Sequence, residues 1–173
     1  MKILDQPSLE IEKMYKTKND MTPTRRFELN ALMNIRLASV IDLQMQMKQA
    51  HWNVKGPQFI SLHELFDKTH RTIESYVDII AERIVQLGGI AEGTVRVSAI
   101  RTELEQYPLS IANGCDHVEA VAQALASFGH QARAMINEAT ELEDADTADL
   151  FTEISRGIDQ CLWFIEAHSQ APK

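Results

Sequence analysis

Apolar residues recur at threes and fours through most of this chain, and four long segments carry that period. Thr22, Pro23 and Thr24 form a helix-start signal, with hydroxyl capping chemistry and proline near the first turn, and predict a helix from about Arg25 to His51. Gly56-Pro57 lies beyond its end. Leu62, Phe66, Ile73, Val77, Ile80, Ile84 and Leu87 predict a second amphipathic helix over about Ile60 to Leu87, closed by Gly88-Gly89. A third helix, about Asp116 to Ala139, opens with Asp116 as N-cap and Glu119 three residues later, the reciprocal arrangement of a capping box. The fourth, about Thr147 to His168, carries Leu150, Phe151, Ile154, Ile158, Leu162 and Ile165. Between the second and third the period weakens, and only a short Val95 to Leu104 piece fits a helix.

Short links at the first and third joints, with one long connection in the middle, describe an all-α, ferritin-like four-helix bundle with a short extra helix in its crossover. Residues 1–23 are expected to be an N-terminal extension and 24–173 the bundle domain. With 173 residues, 45% hydrophobic and 24% charged, one core suffices without disulfides. Cys115 and Cys161 are too few and too isolated for a disulfide framework or a thiolate zinc cluster. No apolar run is long enough to span a bilayer, so the chain is expected in the cytoplasm, away from membranes. The net charge of -8 excludes a surface that grips phosphates all round.

Polar positions on the second helix also have a period. At 100 degrees per residue, His63, Asp67, Asp78 and Glu82 fall at about 0, 40, 60 and 100 degrees, so all four project from one face. Imidazole and carboxylate together suit iron, zinc or manganese. Asp67 and Asp78, however, stand about 16 Å apart along the axis, beyond the reach of one ion. Either another helix of the chain completes each pair, or a second copy packs antiparallel across a two-fold axis near Thr72. An intrachain di-iron bundle uses Glu-x-x-His pairs, and none occurs in this chain. The spacing favours the dimer, in which His63 and Asp67 of one copy meet Asp78 and Glu82 of the other, twice. His51, at the end of the first helix, is placed by the short link to join His63 and Asp67. An ordinary solvated helix face with the same residues is the competing interpretation. His70, His117, His130 and His168 are expected to be surface or internally bonded residues.

The run Lys48-Gln49-Ala50-His51-Trp52-Asn53-Val54-Lys55-Gly56-Pro57, then Phe59, Leu62-His63-Glu64, Phe66-Asp67, Asp78 and Ala81-Glu82-Arg83, resembles the signature of the Dps family. Leu87-Gly88-Gly89, Tyr107-Pro108, Asp146-Thr147-Ala148-Asp149 and Leu162-Trp163-Phe164 extend the likeness. It implies a hollow homododecamer with a ferroxidase centre shared between two-fold-related subunits. His51, His63 and Asp67 of one subunit and Asp78 and Glu82 of the other match the ligands. The reaction implied is oxidation of Fe(II), two ions per site, by hydrogen peroxide or dioxygen, with Fe(III) stored in the cavity; zinc or another divalent ion is a candidate substitute. Trp52 is either a fallback electron donor or a packing residue. Within the acidic cluster Glu141, Glu143, Asp144, Asp146, Asp149 and Glu153, the resemblance implies an iron-entry pore lined by Asp146, Asp149 and Glu153.

DNA is a further partner to weigh. Residues 1–26 hold six basic against four acidic side chains, a net of +2, which leaves -10 on the remainder. Lys13, Lys16 and Lys18 form a small basic patch that oligomerisation would multiply. Ile3, Leu4, Leu9 and Ile11 make the same arm partly apolar, apt to fold onto the shell. Iron oxidation and storage is thus the leading expectation. Nucleoid DNA packing with secondary iron oxidation, and hence nucleoid association, is the alternative.

Overall fold

A computed structural model describes residues 14–170. The first helix, α1 (Pro23–Asn53), begins where the Thr22 hydroxyl accepts the Arg25 N–H and Pro23 occupies the first turn. The second, α2 (Phe59–Gln86), follows after a five-residue link. A seven-residue helix, α3 (Val95–Arg101), interrupts the long crossover. Then come α4 (Gly114–Glu141) and α5 (Ala145–Glu166), joined by a tight turn. Four of the five predicted elements lie within two residues of their expected bounds, and the crossover helix ends three residues before Leu104.

The N-terminus of α4 departs from the expectation. Asn113, not Asp116, is the N-cap: its side-chain oxygen accepts the Asp116 N–H at 2.9 Å. Asp116 sits in the first turn and hydrogen-bonds back to the Asn113 amide. Asn-x-x-Asp and Asp-x-x-Glu overlap here in sequence, and both fit a capping box. The choice goes to Asn113 because its residue also pairs with Lys55, whose N–H donates to the Ala112 carbonyl at 2.9 Å. That bridge ties the α1–α2 link to the crossover.

Packing follows from the apolar stripes. The neighbours are α1 with α2, α2 with α5, α5 with α4 and α4 with α1, which closes a four-sided bundle, and α3 rests on α1. Leu29, Met33, Leu37, Leu43 and Met47 of α1 meet Leu62, Phe66, Ile73, Ile80 and Ile84 of α2, all essentially inaccessible to solvent. Phe128 and Phe151 fill the opposite side. Each such side chain contributes on the order of 1.5–3 kcal/mol through burial.

Gly88 ends α2 with φ +81, donating to the Val85 carbonyl while Gly89 donates to Ile84. A Cβ at Gly88 would lie 2.5 Å from the Tyr15 carbonyl oxygen. Tyr15 in turn donates its N–H to the Gly88 carbonyl at 2.9 Å, so the chain before α1 is pinned to the end of α2. Among the described residues no helix is long and apolar enough to cross a membrane.

Candidate metal centre

The last turn of α1 and the first turns of α2 face each other across the short link. His51 Nδ1 lies 2.8 Å from the His63 carbonyl oxygen, and His63 Nδ1 lies 2.8 Å from that of His51. A carbonyl only accepts, so both Nδ1 atoms carry a proton, and Nε2 is the nitrogen of each neutral ring that is left with a lone pair. The rings stack with centroids 3.7 Å apart. This exchange also satisfies one of the carbonyls left unpaired at the end of α1. Two imidazoles are thereby locked in the tautomer a metal ion requires, with backbone carbonyls as the outer partners.

Asp67 lies one turn further along α2 and is only 18% exposed. Lys48 Nζ sits 2.6 Å from one carboxylate oxygen, and Arg71, four residues on, pairs with the other. These hydrogen bonds hold the Asp67 carboxyl well below the usual range, overriding the upward push of burial. The group is therefore an anion at neutral pH. Lys48 and Arg71 were not among the sequence-derived site residues. Signals existed for both: Lys48 precedes His51 by three positions and shares its helix face, and Asp67 to Arg71 is an i,i+4 pair.

Asp78 and Glu82 are exposed on the same helix, about three and four turns beyond Asp67, and form no ion pair among the described residues. Within the chain, no three His, Cys, Asp or Glu side chains among the described residues converge on one point. His51 and His63 are brought together, Asp67 stands beside them with its own cations, and the two remaining acids are not brought to them. The donor chemistry, two Nε2 lone pairs and ionised carboxylates, fits iron or zinc.

Trp52 follows His51 and is 59% exposed, so it does not pack into this chain's core. It lines a groove of about 690 Å³ between α1 and the crossover. Asp146, Asp149 and Glu153 are exposed on the first turns of α5. Asp144 leaves their cluster: it is buried, caps α5 through the Thr147 N–H, and receives Arg83 at 2.8 Å. Lys16 and Lys18 are exposed, and Lys13 lies outside the described residues. His70 and His168 bond to backbone carbonyls, and His130 is exposed. His117 is buried against Tyr107.

A model of the ferritin-like domain matches residues 30–172. A DNA protection during starvation protein of Agrobacterium fabrum is 44% identical over 158 residues, which cover 91% of this chain and 98% of that protein. The solved structure of DpsA14 from Streptomyces coelicolor superposes with a TM-score of 0.87 at 30% identity, over 92% of this chain and 94% of that one. That of Dps from Microbacterium arborescens in the high iron form gives 0.81 at 29% identity, over 91% and 100% of the two chains.

Proposed function

We propose a function for this chain from the family to which it belongs: it is a member of the ferritin-like family, in its Dps branch. It oxidises Fe(II) at a two-iron site shared by two copies of the chain and keeps the Fe(III) product inside a hollow dodecamer. The observation that carries this is the reciprocal His51–His63 pairing, which presents two Nε2 atoms where α1 ends and α2 begins, α2 also bearing the exposed Asp78 and Glu82. The high iron form of the Microbacterium relative supports iron as the substrate.

His51 and His63 bind Fe(II) through Nε2, and Asp67 supplies a carboxylate once the incoming ion displaces Lys48 and Arg71 from it. Until then those two cations keep Asp67 ionised and in place. Asp78 and Glu82 of the second copy close the site. Two Fe(II) held together give hydrogen peroxide both electrons, and with two protons it leaves as two water molecules. No hydroxyl radical is released on that route, which is the protective element of the reaction. Dioxygen is the second candidate oxidant, and zinc competes for the same donors. Asp146, Asp149 and Glu153 attract Fe(II) to an entry pore, as expected of exposed acids on an acidic shell. Such a protein works in the cytoplasm.

Nucleoid DNA packing is the second reading, supported by the name of the Agrobacterium relative and by exposed Lys16 and Lys18.

Anaerobic addition of Fe(II) and then peroxide to the apoprotein tests the leading reading. His63→Ala and Asp67→Ala each lower the oxidation rate about tenfold or more, the size expected on loss of a metal-site group. An unchanged rate in both variants removes the site.

A further inference from the structure

One buried polar pair has no part in the chemistry above. Tyr107, in the crossover just before Pro108, places its hydroxyl 2.6 Å from Nδ1 of His117 on the first turn of α4. Both are interior residues, 7% and 1% exposed. Neither Tyr15 nor Tyr76 has its hydroxyl on a base among the described residues. His117 Nε2 forms no hydrogen bond. Burial lowers the pKa of His117, and the Asn53 backbone carbonyl, which attracts a proton, partly opposes this. Burial thus favours the neutral ring, and in its tautomer protonated on Nε2 the Tyr107 hydroxyl is the donor to Nδ1.

This pair also lies next to the iron-oxidising elements. Asn53, whose carbonyl acts on His117, is two residues after His51. Tyr107 and Trp52 line the same groove. Phe66, next in sequence to Asp67, has its ring centroid 6.5 Å from that of His117. A phenol hydrogen-bonded to a neutral imidazole can give up an electron while its proton shifts only across that bond. The proton passes to the imidazole, so no phenol radical cation has to form, and the positive charge that results rests on His117, where the Asn53 carbonyl favours it against the cost of burial.

On the iron-oxidation reading above, we propose that the Tyr107–His117 pair is a proton-coupled electron donor that completes peroxide reduction when only one Fe(II) is bound. Peroxide needs two electrons and two protons to become two water molecules. The single Fe(II) gives one electron and becomes Fe(III). Tyr107 gives the other, by way of Trp52, and passes its phenolic proton to His117 Nδ1, leaving a neutral tyrosyl radical beside a protonated imidazole. Solvent supplies both protons consumed. A half-filled site thus avoids releasing hydroxyl radical.

The test uses the assembled full-length protein, loaded with one Fe(II) per two-iron site, given excess peroxide and frozen for electron paramagnetic resonance. The expected result is a tyrosyl signal whose hyperfine pattern narrows when the protein is made with ring-deuterated tyrosine. Tyr107→Phe, which keeps the ring volume, loses the signal and releases spin-trappable hydroxyl radical. His117→Gln, which keeps an acceptor but removes the base, loses the signal as well. At two Fe(II) per site, Tyr107→Phe oxidises iron at the native rate. A native signal unaffected by tyrosine deuteration, or one that persists in Tyr107→Phe, overturns the proposal while leaving iron oxidation intact. If native protein with Fe(II) consumes no peroxide, the iron-oxidation reading fails and takes the donor role with it.

Discussion

Arg83 takes its charge into the end of the bundle and meets an answering group there. Its guanidinium reaches both oxygens of Asp144 at 2.8 and 2.9 Å and the Thr147 hydroxyl at 2.9 Å. Burial alone would push the Asp144 carboxyl up, but hydrogen bonds from Thr147 and Arg83 win and hold it below the ordinary range. A carboxylate depressed in the folded chain contributes stability above its unfolded value, roughly pH 4, and that contribution is lost as pH falls toward the folded value. Asp144→Ala leaves buried Arg83 with only the exposed Asp146 carboxylate, 3.9 Å away, as a charged partner, and is expected to cost about 3 kcal/mol in urea unfolding at pH 7. The variant is also expected to lose stability less steeply than the native chain below pH 4. An equal acid dependence in the two proteins contradicts the assignment. This residue was read in the sequence only as part of an acidic run, since nothing local reveals that Arg83, sixty-one residues away, returns to it. The His51 and His63 positions, by contrast, were legible from spacing. Their exchange of backbone hydrogen bonds was not, because it depends on how two helix ends meet.

At the scale of elements, the period of apolar residues and the few Gly and Pro breakers located the long helices, because each buries one stripe and ends at a breaker. Caps were less legible where two polar residues three apart offered the same chemistry, as Asn113 and Asp116 do. Close helix approach leaves no mark in the period either. Gly157 lies inside α5, and a Cβ there would stand 1.7 Å from the Tyr76 hydroxyl oxygen of α2. Alanine ordinarily improves on glycine in a helix by about 1 kcal/mol. Here overpacking of about 1–3 kcal/mol opposes it, so Gly157→Ala is expected to be destabilising in denaturant unfolding. Adding Tyr76→Phe removes the closest atom and recovers part of the loss, a coupling a double-mutant cycle measures. A stabilised Gly157→Ala chain contradicts the contact.

The whole molecule leaves more apolar surface uncovered than one chain needs. Val95, Ile100, Leu109 and Trp163 are all at least 60% exposed, the condition of surfaces that meet other copies. The net charge of -8 divides into a weakly basic arm and an acidic body, a distribution that suits iron collection better than phosphate binding. Retardation of DNA in a gel at physiological salt is therefore not expected, and strong retardation there favours the nucleoid reading. In the sequence the shared site is expected from geometry, since about 16 Å between Asp67 and Asp78 forbids closure of one site on one helix, whereas the dodecamer is implied only by the resemblance. Complementation between two defective subunits addresses the shared site most directly. One subunit carries His63→Ala and Asp67→Ala, the other Asp78→Ala and Glu82→Ala, and each is inactive assembled alone. In an unlike pair, one site receives both intact halves and the other both damaged halves. Random equimolar pairing makes half the pairs unlike, so about a quarter of all sites regain the full set. The account predicts recovery of about a quarter of the native peroxide-dependent Fe(II) oxidation rate on co-assembly, and a mixture as inactive as its two parents would contradict it.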